Sequence, residues 1–180
     1  MQQVKPPQNV DIDALKAQVD AEIAARLLQE ADYARYIHRR GVCIGSLKLL
    51  VGLDATGEVA DMPLLFRLPG APQGVKGLVN RHGRVVPVLD IPELFGLQHE
   101  WTSNVWLLVY GRGEEAVGIM IDSLPERKSF DQADAVSLDE STHPVTAYAR
   151  ACYRDGKDVW IDMDMEALFA FVFKAELAGA

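Results

Sequence analysis

Four histidines, two cysteines and a few carboxylate clusters are the residues of this chain with the means to do chemistry. His38, His82, His99 and His143 share no i,i+4 or H-E-x-x-H spacing, so no zinc site is written into the sequence. Asp162, Asp164 and Glu166 alternate with methionines, a density of oxygen ligands that suits a hard cation. A simpler account is available: Asp162 closes a strand, Asp164 caps the last helix, and Glu166 stands in its first turn, where the macrodipole favours an acid. Cys43 and Cys152 have no C-x-x-C spacing and no companion ligands, and read as reduced core thiols. No serine lies in G-x-S-x-G and neither cysteine has an evident histidine partner, so nucleophilic catalysis lacks its parts. "GRGEE" at 111–115 has the glycines of a phosphate loop without its Lys-Ser/Thr, and sits in a hairpin turn where Glu114 and Glu115 are solvated. The expectation is a protein with no catalytic residue, no metal and no cofactor.

What remains is charge on a surface. "GLVNRHGRVVPVLD", residues 77–90, reads as a tight hairpin whose tip carries Arg81, His82 and Arg84. The chain around it has 180 residues and a formal net charge of -8, with a pI near 5.0. That sign argues against nucleic acid and against anionic membrane, so the basic tip points to a protein partner. Both flanking strands are apolar enough to belong to a core and to hold the tip rigidly. Pro87 cannot donate to a ladder, which marks its strand as an edge or a bulge, where a partner can add contacts. "DIPELFGL" then reads as a short helix, with Asp90 as N-cap, Glu93 completing a capping box and Gly96 as the stop.

The elements that position this tip follow from periodicity. From Asp11 to about Tyr36, Leu15, Val19, Ile23 and Leu27 recur every four residues among alanines, a long helix with a narrow apolar stripe that Asp11 or Asp13 can cap. Residues 41–53 read as strand, "DATGE" as a turn, and "MPLLFRLPGAP" as an irregular segment punctuated by proline and glycine. "NVWLLVYGRGEEAVGIMIDSL" is strand, turn, strand. "TAYARACYRDGKDVWIDMD" is a hairpin about an Asp-Gly turn, and "DMEALFAFVFKAEL" is a closing helix. Short strands at regular spacing without βαβ alternation predict a mainly β barrel or sandwich without a parallel sheet. The N-terminus shows no signal peptide and no run is long enough to span a membrane, so a cytoplasmic protein without direct membrane insertion is expected.

"VKGLVNRHGRVVPVLDIPELFGL" resembles the signature of the CheW family of chemosensory adaptors: G-x-x-N, a turn ending in glycine, an apolar run through Pro-Val to Asp, and a short helix closing in F-G-L. "LPGAP" matches the family's lead-in. "AVGIMIDSLPE" is similar to its second-half motif, and "YRDGKDVWIDMDMEALF" to its closing hairpin and helix. The likeness covers about residues 41–172. It implies two small SH3-like five-stranded β-barrel subdomains side by side over 39–176, preceded by a leader and long N-terminal helix over 1–38 and closed by a C-terminal helix. It implies a non-catalytic adaptor between the regulatory domain of a CheA-type histidine kinase and the cytoplasmic tip of methyl-accepting chemoreceptors, recruited to membrane-associated arrays.

By the same resemblance Arg81, His82, Arg84 and Asp90 belong to the receptor side, and Glu58 with Val59 to the kinase side. The family usually reads N-L-R-G where this chain has Asn80-Arg81-His82-Gly83, so the family's arginine falls on His82 and Arg81 comes one position early. Either Arg81 compensates through an irregular turn, or His82 makes a weaker, pH-sensitive contact. The long helix takes the place of the family's first strand. This pattern is similar to the divergent PilI-like adaptors of pilus-linked systems that drive twitching motility. The alternative is a diverged β-barrel interaction module that binds a different partner through its N-terminal helix.

Overall fold

Alanine-rich sequence makes the first element. Helix α1 (Ile12–Arg35) has Asp13 in its first turn and Arg35 in its last, both matched to the macrodipole, and an Arg26–Glu30 pair at 3.0 Å one turn apart. The computed structural model describes residues 12–53, 56–140 and 143–174. Asp11, one of the two expected caps, lies outside them, and Asp13 is already inside the helix. Leu15, Val19, Ile23 and Leu27 are exposed. Residues divide into two compact units between Tyr36 and Ile37.

Strand β1 (Tyr36–Ile44) starts at the residue after the helix, five positions earlier than the glycine at 41 had indicated. A first strand therefore exists beside the long helix and is not replaced by it. It turns through Gly45, at φ +57°, into β2 (Leu47–Gly52), with Ile44 paired to Leu47. β3 (Thr56–Asp61) follows. The expected "DATGE" turn thus ends early: Thr56, Gly57 and Glu58 are in the strand, and residues 54 and 55 lie outside the described ones. After the irregular segment come β4 (Val75–Arg81), β5 (Arg84–Leu89) and the one-turn helix α2 (Ile91–Leu94). Then come β6 (Trp106–Tyr110), β7 (Val117–Ile121), β8 (Glu126–Asp131), β9 (Ala135–Val136), β10 (Ala149–Asp155) and β11 (Asp158–Met163). Helix α3 (Met165–Lys174) closes the described chain.

The strands form a six-stranded sheet, β8-β1-β2-β11-β10-β9, and a five-stranded sheet, β3-β6-β7-β5-β4. The first exceeds the expected five by the two-residue β9. Each sheet also contains a parallel pair, β2 with β11 and β5 with β7, which local hairpin signals could not reveal. The main core joins the two sheets. Val42, Ile44, Leu49 and Ile161 of one pack with Leu108, Ile119 and Ile121 of the other, and Leu168 of α3 closes the cluster. Burying each such side chain contributes roughly 1.5–3 kcal/mol.

Pro87 corrects the edge-strand expectation. β5 is interior, between β7 and β4, and Pro87 faces Leu78 of β4. The missing donor is tolerated because the parallel pairing with β7 begins only at Val88, opposite Gly118. Of the hairpin's two strands it is β4 that lies at an edge of the sheet. Part of its free side is covered by Phe66, whose N–H donates to Leu78 O at 2.8 Å. Gly77 allows that approach, since a Cβ there would stand 2.3 Å from Phe66 O.

Candidate functional site

The basic tip is built by a two-residue turn. Arg81 pairs with Arg84, which leaves His82 and Gly83 as the turn, at φ +52° and +79°. Positive φ at both positions is the type I′ geometry, whose twist matches the strands it joins. Asn80 Oδ1 accepts from Gly83 N–H at 3.0 Å and fixes the turn. His82 is therefore not a strand residue, and the one-position offset does not throw Arg81 to the wrong face. Both side chains converge on Glu58. An Arg81 guanidinium N–H donates to Glu58 Oε1, and His82 Nε2 lies 3.2 Å from Glu58 Oε2. The turn is regular, and in this structure both side chains are engaged with Glu58.

Glu58 arrives from the opposite edge. β3 and β4 are the two ends of the five-stranded sheet, so the Glu58–Arg81 ion pair joins its edges where the sheet curls on itself. A bulge between Thr56 and Glu58 sets the side chain's aim. The interior of the curl holds Val79, Val86, Val88, Leu107 and Met120. Arg81 is largely buried in the pair whereas His82 is 76% exposed, so the first contact carries more of the electrostatic energy. Beside the pair lies a groove of about 460 Å³ where Arg81, His82 and Arg84 meet Arg112, from the β6–β7 turn. Arg112 went unnoticed in the sequence because its turn pairs with no motif; only the fold brings residue 112 next to 84.

The other residues assigned by resemblance separate. Val59, next to Glu58, points to the opposite face of β3, as alternation requires, and borders a second groove of about 520 Å³ with Arg40, Leu124 and Arg127. Asp90 is 3% exposed and structural. Its Oδ1 accepts from Glu93 N–H at 2.9 Å, capping α2, and its Oδ2 accepts from the Trp101 indole at 2.7 Å. Lys76 Nζ stands 3.6 Å from Oδ2, so the carboxylate is engaged within the fold. The capping box is half made, because the Glu93 carboxylate pairs with Lys76 at 2.7 Å and Asp90 N–H donates to Gly74 O.

A network missed by the sequence reading extends from Asp90. The Trp101 ring meets His99 edge-on at 4.5 Å, and His99 Nε2 lies 3.0 Å from Asp122 Oδ1. Asp122 Oδ2 accepts from Gly45 N–H at 2.5 Å, so the chain of contacts ties the β1–β2 turn of one sheet to α2 beside the other. Asp162 is buried and held by Arg39 at 2.7 and 3.1 Å, and Asp164 caps α3 by accepting from Ala167 N–H at 3.0 Å. Those two carboxylates are thus engaged in structure. Among the described residues, no group of three or more potential ligands could hold a metal. Cys152 is buried and Cys43 half-buried, and burial, with Asp162 nearby, pushes the Cys152 thiol up. No described helix is long and apolar enough to cross a membrane.

The family model of the CheW-like domain matches residues 41–172. The chain belongs to the CheW-like family. Its structure is similar to that of the scaffolding protein TtCheW from Thermoanaerobacter tengcongensis, with a TM-score of 0.62 at 16% identity, over 71% of this chain and 88% of that one. At that identity the likeness establishes the fold: a mainly β CheW-like domain of two SH3-like subdomains, between an N-terminal and a C-terminal helix. No curated protein matches the sequence.

Proposed function

We propose that this CheW-like chain is a non-catalytic adaptor that couples the cytoplasmic tip of chemoreceptors to the regulatory domain of a CheA-type histidine kinase. The observation that carries the reading is the placement of Glu58 and Val59 on opposite faces of one strand. Glu58 is locked to Arg81 and His82 beside the basic groove, while Val59 borders the groove with Leu124 and Arg127. One strand thereby carries a residue to each of two separate grooves. Arg81, His82 and Arg84, now with Arg112, form the receptor side, where acidic helix residues find complementary charge. Val59 and its groove form the kinase side, and Glu58 stands between the two. Each contact is modest alone, and an array supplies the avidity. The order Asn80-Arg81-His82-Gly83, together with the helix ahead of β1, favours a pilus-linked, twitching-motility array as the setting.

The test is a reconstitution with kinase regulatory domain and receptor tip. Arg84→Glu with Arg112→Glu is expected to weaken receptor capture at least tenfold, about 1.4 kcal/mol, while kinase binding persists. Folded protein that captures neither partner sinks the reading. A second reading, capture of a different partner through α1, is favoured by the exposed Leu15, Val19, Ile23 and Leu27. It predicts no kinase binding, and that removing α1 abolishes capture of that other partner while the β domain stays folded.

A further inference from the structure

The turn at 111–116 between β6 and β7 has walls of opposite sign. Arg112 borders the basic groove, whereas Glu114 and Glu115 border another groove, and Gly111 and Ala116 belong to both. This other groove has a volume of about 710 Å³ and an apolar floor, with Pro87 and Val117 from the sheet facing Phe169 and Phe173 of α3. Glu166, Phe169, Ala170 and Phe173 fall at i, i+3, i+4 and i+7, one face of the helix. Phe169 and Phe173 lean on each other with ring centroids 6.5 Å apart, and the small Ala170 beside them leaves the groove open. Phe169 is held edge-on to Tyr110 at 5.4 Å, so the floor is fixed. Glu114, Glu115 and Glu166 are exposed, and among the described residues no lysine or arginine lines the groove. Burial first, with Glu166 and Asp164 adding to it against Arg150, pushes the Tyr110 hydroxyl up, so the phenol stays neutral. The charge around this apolar floor is negative.

We propose that this groove docks a short cationic amphipathic segment of a partner protein. Its apolar side chains lie over Ala170, between the phenyl rings on one side and Pro87 and Val117 on the other, and its lysines or arginines face Glu114, Glu115 and Glu166. The face of α3 from 166 to 173 spans about 10 Å, room for roughly two helical turns of ligand. Helix α1 of a second copy is a poor occupant, because it carries Asp13, Asp20, Glu22, Glu30 and Asp32 against Lys16, Arg26 and Arg35. The proposal is independent of the adaptor reading, since none of its charged residues lies in the basic groove.

The experiment uses the full chain and a labelled, amidated peptide about ten residues long, with leucines at i, i+3, i+4 and i+7 and lysines elsewhere, followed by fluorescence anisotropy. Its counterpart with glutamates in place of lysines is the control. Saturable binding of the lysine peptide alone is expected. Ala170→Phe fills the groove without changing charge and should weaken binding at least about tenfold. Glu114→Lys, Glu115→Lys and Glu166→Lys combined should reverse the preference toward the glutamate peptide. These glutamates are exposed, so that variant keeps the test decisive if Ala170→Phe fails to fold, as judged by circular dichroism. Equal binding of the two peptides, absence of saturation, or full-strength binding by folded Ala170→Phe would each overturn the proposal; the last would reveal only general attraction to an acidic chain.

Discussion

Single residues at the hairpin separate what holds the fold from what stands exposed. Asp90 and Arg84 stand a few positions apart and the resemblance gave both to the receptor side, but one is buried and the other exposed. Asp90→Ala removes a helix cap and leaves the Trp101 indole without its acceptor, so it should cost about 2–3 kcal/mol. Arg84→Ala should stay within about 0.5 kcal/mol. Urea denaturation of the two variants checks both, and equal costs would contradict the geometry. His82 poses the reverse case, a non-glycine residue at positive φ. His82→Gly relieves about 1–2 kcal/mol of left-handed strain and gives up only an exposed contact with Glu58. Its thermal midpoint should therefore rise slightly while receptor capture, on the adaptor reading, weakens. The residue types at this tip were plain in the sequence. Their convergence on Glu58 was not, because no local pattern says that the two edges of a sheet will meet.

At the scale of elements, hairpins and caps were legible because their signals are local. The hairpin between β10 and β11, the Asp90 cap and the Asp164 cap all form as their local signals indicate, although the turn itself is Gly156-Lys157 and Asp155 stays in the strand. The parallel pairs and the interior position of β5 were not legible, since pairing over long sequence separation leaves no mark on either strand alone. The Asp164 cap yields a pH prediction. Its carboxyl is lowered from 3.8, first by the Ala167 N–H and then by Arg150. A depressed folded value means the cap's stabilisation is fully present above the unfolded value, near 3.9, and is lost as pH falls through the lowered folded one. The stability difference between the native chain and Asp164→Ala should thus be constant above about pH 5 and shrink toward zero under acid. A difference that persists through acid titration, followed by thermal midpoints, would show that the charge at 164 contributes nothing.

For the whole molecule the decisive boundary is the one between α1 and β1. Sequence placed it near residue 38, because alanine-rich helix runs directly into "YIHRRGVCI" with no glycine or proline to mark the change. The strand instead begins at Tyr36. Arg39, three residues into it, holds buried Asp162, and Ile37 packs against the cluster of Leu50, Phe130 and Trp160. A truncation that ends at residue 35 leaves β1 complete, whereas one that ends at residue 39 removes the Ile37 contact and leaves Asp162 as a buried carboxylate without its cation. Unpairing a buried charge costs about 3–5 kcal/mol, a large part of what a domain of this size has. The shorter truncation is therefore expected to unfold cooperatively near the midpoint of the full chain, and the longer one to melt far lower or to aggregate on expression. Among the described residues the fully buried members of the apolar clusters all lie at residue 42 or later, and the packed Ile37 survives the shorter truncation, which is why the first outcome follows. If both truncations melted together, β1 would not belong to the folding unit that its pairing with β2 defines.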